Sequence, residues 1–348
     1  MHQLENFKDD INKCSKCGLC QGVCPVYKVT GNECAVSRGK FVMLHGVLKG
    51  DLKLNKNINK YLDMCLKCGK CLDFCPSDID VCKIFETAKY EYAKKSLVGK
   101  LVFFFESKLI FGNVLKLIKR KYKFPENKNA KLKLLYFKGC IGNLLSHTAD
   151  LLRQIPNIEI IQKDFDCCGI PFLSSGNLER FDEVKKHNIE QMNCDFDYIL
   201  TDCASCESTL KGYEKLPQGV KFISLGELLV TENLKFKSKK PIKVTFHKPC
   251  HLKNSDFIKP LFENCENVEY VEMKGFDDCC GFAGEFALRN RNISKLISAK
   301  KAQNIINTGA DYVVTSCPSC VLGLKQGLAG KKNAPKVLSL SEFLLDII

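Results

Sequence analysis

Twenty-two cysteines in 348 residues carry the chemistry of this chain, and their spacing sorts most of them into four groups. Cys14, Cys17, Cys20 and Cys24 stand in CSKCGLCQGVCP, and Cys65, Cys68, Cys71 and Cys75 repeat that spacing in CLKCGKCLDFCP. Two further groups, Cys140, Cys167, Cys168, Cys203, Cys206 and Cys250, Cys279, Cys280, Cys317, Cys320, each hold a Cys-Cys-Gly and a C-x2-C. The N-terminal MHQLENFKDD lacks the basic start and apolar core of a secretory signal, so an exported disulfide framework is not expected. Thiols in this number point instead to metal ligation.

The first two groups resemble the C-x2-C-x2-C-x3-C-P run of two-cluster bacterial ferredoxins, in which the fourth cysteine ligates the other cluster. Three thiolates two residues apart wrap three corners of a cubane, and the partner run supplies the fourth. The expected sets are Cys14, Cys17, Cys20 and Cys75 for one [4Fe–4S] cluster, and Cys65, Cys68, Cys71 and Cys24 for the other. Zinc knuckles share the C-x2-C element, but three close cysteines followed by Cys-Pro, twice over, favour iron–sulfur.

Behind these ligands the chain divides into four parts. Residues 1–95 read as a helical dicluster domain. Apolar spacing at Phe41, Leu44 and Leu48 predicts a helical insert that holds the two cluster loops apart. Residues 96–130 read as an amphipathic helix followed by a basic linker. Eight basic residues (Lys116, Lys119, Arg120, Lys121, Lys123, Lys128, Lys131, Lys133) oppose Glu126 alone between 116 and 133. That stretch is either an attraction to an anionic bilayer or acidic partner, or a solvated lysine edge. The longest apolar run there, LVFFF, is too short to span a bilayer.

Residues 131–235 and 241–348 are two copies of one module. KLKLLYFKGC, DYILTDCASC and VKFISLGELL recur in order as PIKVTFHKPC, DYVVTSCPSC and PKVLSLSEFLL. Between the first cysteine and the pair lie 26 and 28 residues, and between the pair and the C-x2-C 34 and 36. Strand-like runs end just before Cys140, Cys203, Cys250 and Cys317, with helical stretches between, which predicts parallel α/β sheets. The fold class is therefore α+β multidomain: a helical dicluster domain, then two duplicated α/β modules.

Ligands collect beyond the carboxyl ends of parallel strands, where this pattern delivers all five cysteines of each copy. Neighbouring residues on a strand point to opposite faces, so Cys-Cys-Gly needs a bend, and glycine supplies unusual backbone angles. His251 stands beside Cys250 and is a candidate neighbour of the second site; His247 is the weaker candidate. Cys34 and Cys82 read as small buried hydrophobes, Cys194 and Cys265 as structural. GFAGE at 281–285 lacks the strand–GxGxxG–helix context of a dinucleotide site, and no catalytic residues are assigned.

The Cys-Cys-Gly modules resemble the cysteine-rich domains of heterodisulfide reductase. Two ferredoxin runs followed by two such modules are similar to the iron–sulfur subunit of glycolate oxidase, with relatives in lactate utilisation and anaerobic glycerol-3-phosphate dehydrogenase. VTGNECAVSRGK and KPCHL carry that likeness further along the chain. The resemblance implies one iron–sulfur cluster, or zinc, in each module, held by the five-cysteine sets. It implies an electron-transfer subunit, not catalytic alone, serving a flavoprotein dehydrogenase and passing electrons toward quinone. A thiol–disulfide reductase and a redox-inert zinc scaffold are the competing readings. Scattered lysines without a recognised nucleic-acid module argue against nucleic acid as partner. The expected location is cytoplasmic, or peripheral on the inner face of the cell membrane.

Overall fold

Among the described residues of the computed structural model, eight strands form two four-stranded parallel sheets with the same connectivity. Residues 3–106, 122–124, 127, 129–141 and 147–347 are described. Lys116, Lys119, Arg120, Lys121, Glu126 and Lys128 of the basic stretch lie outside them. Strands β1 (Leu132–Phe137), β2 (Ile158–Ile161), β3 (Tyr198–Thr201) and β4 (Phe222–Ser224) lie in the order β2-β1-β3-β4. Strands β5 (Phe236–His247), β6 (Cys265–Tyr270), β7 (Tyr312–Thr315) and β8 (Lys336–Ser339) lie in the order β6-β5-β7-β8. Every pairing is parallel.

The duplication extends to register and capping. Phe137 pairs with Thr201 at the ends of β1 and β3, and His247 with Thr315 at the ends of β5 and β7. Each module's last helix starts with the same reciprocal cap: Ser224 with Glu227, and Ser339 with Glu342. One apolar core, including Leu134, Tyr136, Leu200, Phe246, Phe262 and Phe343, serves both sheets.

By contacts the chain forms two compact units. One comprises Met1–Val114, Pro171–Asp182 and Cys279–Ser298; the other comprises Leu115–Ile170, Glu183–Asp278 and Ala299–Ile348. The first unit therefore includes a short segment taken from each repeat, and the contact boundaries cut across the sequence boundaries 131–235 and 241–348.

Helices dominate the first unit. Val81, Ile84, Phe85 and Ala88 recur at helical spacing and are buried on one face of helix Val81–Lys95, which Asp80 caps. Helix Ser37–Leu48 buries Phe41 and Leu44 against the same core, as their spacing predicts. The insert does not hold the ligand loops apart, because the short helices Leu19–Val23 and Lys70–Asp73 that follow those loops pack on each other. The insert lengthens the chain between the loops while its own core draws them together. Helix Leu97–Phe104 leaves Leu97, Val98, Leu101 and Phe104 exposed. No helix among the described residues is long and apolar enough to cross a membrane.

Two lysines, the half-buried Lys67 and the buried Lys89, tie the segments of this unit together. Lys67 donates to Glu86 at 2.9 Å and to the carbonyl of Leu173. Lys89 pairs with Asp63 at 2.7 Å and Glu285 at 3.5 Å, and donates to the carbonyl of Ser174. Leu173 and Ser174 lie in the last turn of helix Ile170–Ser175, where unsatisfied carbonyls favour cations. Gly176 (φ +81°) completes the fit, since a Cβ there would stand 2.8 Å from Lys89 Cβ. Lys89→Met removes one partner of a buried ion cluster; the expected loss is about 3 kcal/mol or more. A calorimetric melt checks it, and an unchanged melt would mean that Lys89 does not hold the unit together.

Candidate metal centres

The two N-terminal ligand loops share one backbone solution. In CSKCG and CLKCG the lysine and glycine are all left-handed: Lys16 (φ 58°), Gly18 (φ 87°), Lys67 (φ 52°) and Gly69 (φ 74°). Such turns aim successive N–H groups inward, toward an anionic centre. Cys14, Cys17, Cys20, Cys71 and Cys75 line one cavity. Burial pushes the Cys71 thiol up to about 12, and the nearby Cys65 adds to the effect, followed by Cys24 and Cys20. Burial also raises Cys24 and Cys20, whereas the Leu19 backbone N–H lowers the exposed Cys17. Five of the eight sulfurs thus meet at one cavity, with Cys65 and Cys24 near Cys71, a setting that suits a thiophilic metal.

A second layer comes from VSRGK, a stretch to which the cysteine pattern gives no ligand role. Ser37 hydrogen-bonds Cys71, the Arg38 backbone serves Cys20, and the buried Lys40 ammonium favours the Cys24 thiolate. Lys40 also sits 5.2 Å over the Phe85 ring. Cys82 lies near Cys65 and Glu86, where burial keeps its thiol well above the usual range. Cys34 is exposed, not buried as expected. It occupies a 3-10 turn capped by Asn32, and that turn directs it away from the core.

In the first module the five expected cysteines form one line of sulfur contacts. Cys167 Sγ stands 3.5 Å from Cys140 Sγ. Cys168 accepts from Cys167 and Cys206, which hold it well below the ordinary thiol range. Cys203 completes the line through Cys206. Cys203 and Cys206 lie at the start of helix Ala204–Lys211, directly after β3. Gly139 makes room, because a Cβ there would stand 3.0 Å from Cys206 Sγ.

The Cys-Cys-Gly bend is held by a polar bracket that the cysteine pattern does not reveal. Fully buried Asn188 accepts from the Asp166 N–H at 2.8 Å and donates to the Cys167 carbonyl at 3.0 Å. It also donates to the Tyr213 hydroxyl at 3.1 Å, and that hydroxyl donates to the Cys168 carbonyl at 2.8 Å. Gly169 adopts φ 90°, and its N–H donates to Cys167 Sγ at 3.5 Å. Gly281 repeats this device at φ 81°, donating to Cys279 Sγ at 3.4 Å.

The second module's cysteines divide between the contact units. Cys250, Cys317 and Cys320 belong with the sheets, and the buried Cys279 and Cys280 with the helical unit. There Cys279 shares an apolar cluster with Val26, Leu66 and Phe286, against which Cys24 and Cys68 also pack. Among the sheets, the two C-x2-C turns meet. Cys203 and Cys317 hydrogen-bond, Ser205 Oγ stands 3.5 Å from Cys317 Sγ, and the Ala204 N–H donates to the Ser316 carbonyl at 2.9 Å.

The two histidines exchange their expected weights. His251 Nδ1 is 3.0 Å from Ser205 Oγ. His247 is fully buried, and a ring nitrogen lies within 4.8 Å of Cys320 Sγ. Burial, and behind it Lys301, hold its imidazole well below the ordinary range, so it is neutral. Cys194 is half-buried; Cys265 is buried and donates to the Leu261 carbonyl at 3.3 Å.

The profile of a cysteine-rich domain matches residues 134–211 and 244–325, and that of a 4Fe–4S dicluster domain matches 10–79. An uncharacterized iron–sulfur protein of Methanococcus maripaludis is 28% identical, over 93% of this chain and 70% of its own. A probable glycolate oxidase iron–sulfur subunit of Bacillus subtilis is 24% identical, over 99% and 97%. One component of the dihydromethanophenazine:CoB–CoM heterodisulfide reductase of Methanosarcina acetivorans is 26% identical, over 91% and 89%. A crystal structure of a hypothetical protein from Helicobacter pylori shares the fold, with a TM-score of 0.54 and 13% identity over 88% of this chain and 67% of that one.

Two substitutions probe these centres. Tyr213→Phe strips a donor from the Cys168 carbonyl and an acceptor from Asn188. It is expected to cost about 1–3 kcal/mol and to loosen metal in the first module alone, read by melting and metal analysis. Unchanged metal retention would make the bracket irrelevant to the site. Cys24→Ser should damage the cluster of Cys65, Cys68 and Cys71, and Cys75→Ser the cluster of Cys14, Cys17 and Cys20. Electron paramagnetic resonance separates the two; each variant losing the cluster of its own run would overturn the crossed sets.

Proposed function

We propose that this chain, a 4Fe–4S dicluster domain followed by two cysteine-rich domains, is the electron-relay subunit of a flavin-dependent 2-hydroxyacid dehydrogenase, glycolate or lactate type, delivering electrons toward quinone. The observation that carries the reading is the apolar cluster in which Cys279 lies beside Cys24 and Cys68. Cysteines of two expected ligand sets adjoin there among packed apolar side chains, an arrangement that serves electron transfer. The B. subtilis relative named as a glycolate oxidase subunit supports the same direction.

The partner follows from electron counting. Oxidation of an alcohol carbon removes a hydride, whereas iron–sulfur clusters take electrons singly. Flavin accepts the hydride and releases single electrons. The oxidation is thus assigned to a flavoprotein, and this chain's residues hold and insulate the relay. Lys40 favours the Cys24 thiolate, Ser37 and the Arg38 backbone stabilise Cys71 and Cys20, and Asn188 and Tyr213 fix the first Cys-Cys-Gly bend. Exposed Leu97, Val98, Leu101 and Phe104 offer an apolar face to a membrane surface or a quinone-reducing partner.

A second reading, thiol–disulfide reduction, draws on the meeting of Cys203 and Cys317 and on the M. acetivorans relative's name. One experiment separates the two. The anaerobically purified chain, carrying about sixteen irons if all four sites hold four-iron clusters, is mixed with glycolate, lactate or glycerol-3-phosphate, with and without the flavoprotein. Visible bleaching by a hydroxy acid only when the flavoprotein is present is the expected result. Bleaching of the chain alone would sink the relay assignment, and rapid turnover of a disulfide would favour the reductase.

A further inference from the structure

His247 ends β5 at the register position that Phe137 holds at the end of β1, one facing Thr315 and the other Thr201. Both side chains are fully buried. Phe137 packs its ring 4.9 Å from that of Phe165, two residues before the cysteine pair. The matching residue of the second module is Asp277, whose carboxylate acts on the His247 ring. Where one copy keeps an aromatic pair, the other keeps an imidazole and an acid.

Packing does not account for the exchange. Neither ring nitrogen of His247 has a hydrogen-bond partner among the described residues. The Phe276 carbonyl, which also acts on the ring, already accepts from the Lys248 backbone N–H and the Lys301 ammonium, each at 3.0 Å. An imidazole without partners in a dry site carries a desolvation cost that a phenyl ring in the same place would avoid. The surroundings supply a reason to keep it. A ring nitrogen and Cys320 Sγ lie within 4.8 Å, so a small closing movement brings both onto one ion at about 2.0–2.1 Å from nitrogen and about 2.3 Å from sulfur. Cys317 also acts on the ring, and Cys250 follows three residues after His247.

We propose that His247 is a metal ligand of the second module, its imidazole nitrogen joining the thiolates of Cys317 and Cys320 on a thiophilic ion, either zinc or an iron of a cluster. The two modules then differ in kind: an all-sulfur set in the first, and a mixed nitrogen–sulfur set in the second. Where the ion is an iron of a cluster, nitrogen in place of a thiolate removes a negative charge from the second centre and makes it the easier of the two to reduce. This assignment stands apart from the identity of the oxidised substrate and does not require the flavoprotein.

The test uses the full chain with 15N-labelled histidine, prepared anaerobically with iron and, separately, with zinc. Pulsed electron paramagnetic resonance of the reduced iron form reads directly bound nitrogen, and X-ray absorption of the zinc form reads a nitrogen shell. The expected result is bound nitrogen in the wild type in at least one arm, lost in His247→Phe and retained in His251→Gln. The arm that shows it identifies the metal. His247→Phe installs the residue of the first module and should keep the fold, checked by circular dichroism. If that variant does not fold, the wild-type nitrogen signal and its persistence in His251→Gln decide alone. Metal without bound nitrogen in both wild-type arms overturns the assignment, as does nitrogen retained in His247→Phe or lost in His251→Gln.

Discussion

Five cysteines gathered beyond the strand ends, Cys140, Cys167, Cys168, Cys206 and Cys203, set the constraint around which the sheets are built. A buried interior does not tolerate several thiolates at once, because each loses its hydration and repels the next. Cys167 and Cys206 direct their protons toward Cys168, which they hold well below the ordinary thiol range. Bound metal replaces those protons and turns mutual repulsion into a shared attraction. The rest of the module follows from this need. Parallel strands end together, glycines 139 and 169 admit close sulfurs and a tight bend, and Asn188 with Tyr213 ties down the carbonyls of the pair.

Duplication explains why the same solution appears twice, and divergence shows which parts are free to change. Register at the strand ends, the serine–glutamate caps and the N–H to sulfur contact at the pair are shared. The support for the bend is not. Asn188 brackets the first pair, whereas in the second module the buried Lys301 binds the carbonyls of Gly275 and Phe276. An ammonium near thiolates offsets their charge, which an amide does not.

Much of this was legible in the cysteines alone, because ligand spacing is local and repeats are visible as text. The strand ends before Cys140, Cys203, Cys250 and Cys317 were legible for the same reason: short β-branched and aromatic runs stop where the loops begin. What stayed hidden depends on distant residues meeting. Nothing in VSRGK announces that Ser37, Arg38 and Lys40 would serve three different cysteines; that follows from where helix Ser37–Leu48 begins. Cys34 looked like any small apolar residue, yet one capped turn exposes it. His251 drew attention by standing next to Cys250, while His247 meets Cys320 through the pairing of β5 with β7. Residues 171–182 and 279–298 join the helical unit through lysine contacts with helix-end carbonyls and an acid and through the apolar cluster of Cys279, Phe286 and Ile297, meetings of distant segments that leave no periodic trace.

Charge ties these observations together. The formal +14 counts every thiol as neutral, and each cysteine that ligates metal adds a negative charge which that figure omits. Part of the basic excess therefore acts inside the protein. Lys40 lies near Cys24, and Lys67 lies in the Cys65–Cys68 loop and pairs with Glu86, with Cys82 close by. Lys301 stands beside the second module's strand end. Carbonyls and an acid fix Lys67 and Lys301, and Lys40 sits over the Phe85 ring, so they need not reorganise when a nearby centre changes charge. A relay benefits from that rigidity, since each electron that arrives meets a field already arranged to receive it. Scattered lysines, which as text argue only for solubility and steering, become in the folded chain the fixed counter-charge of its sulfur centres.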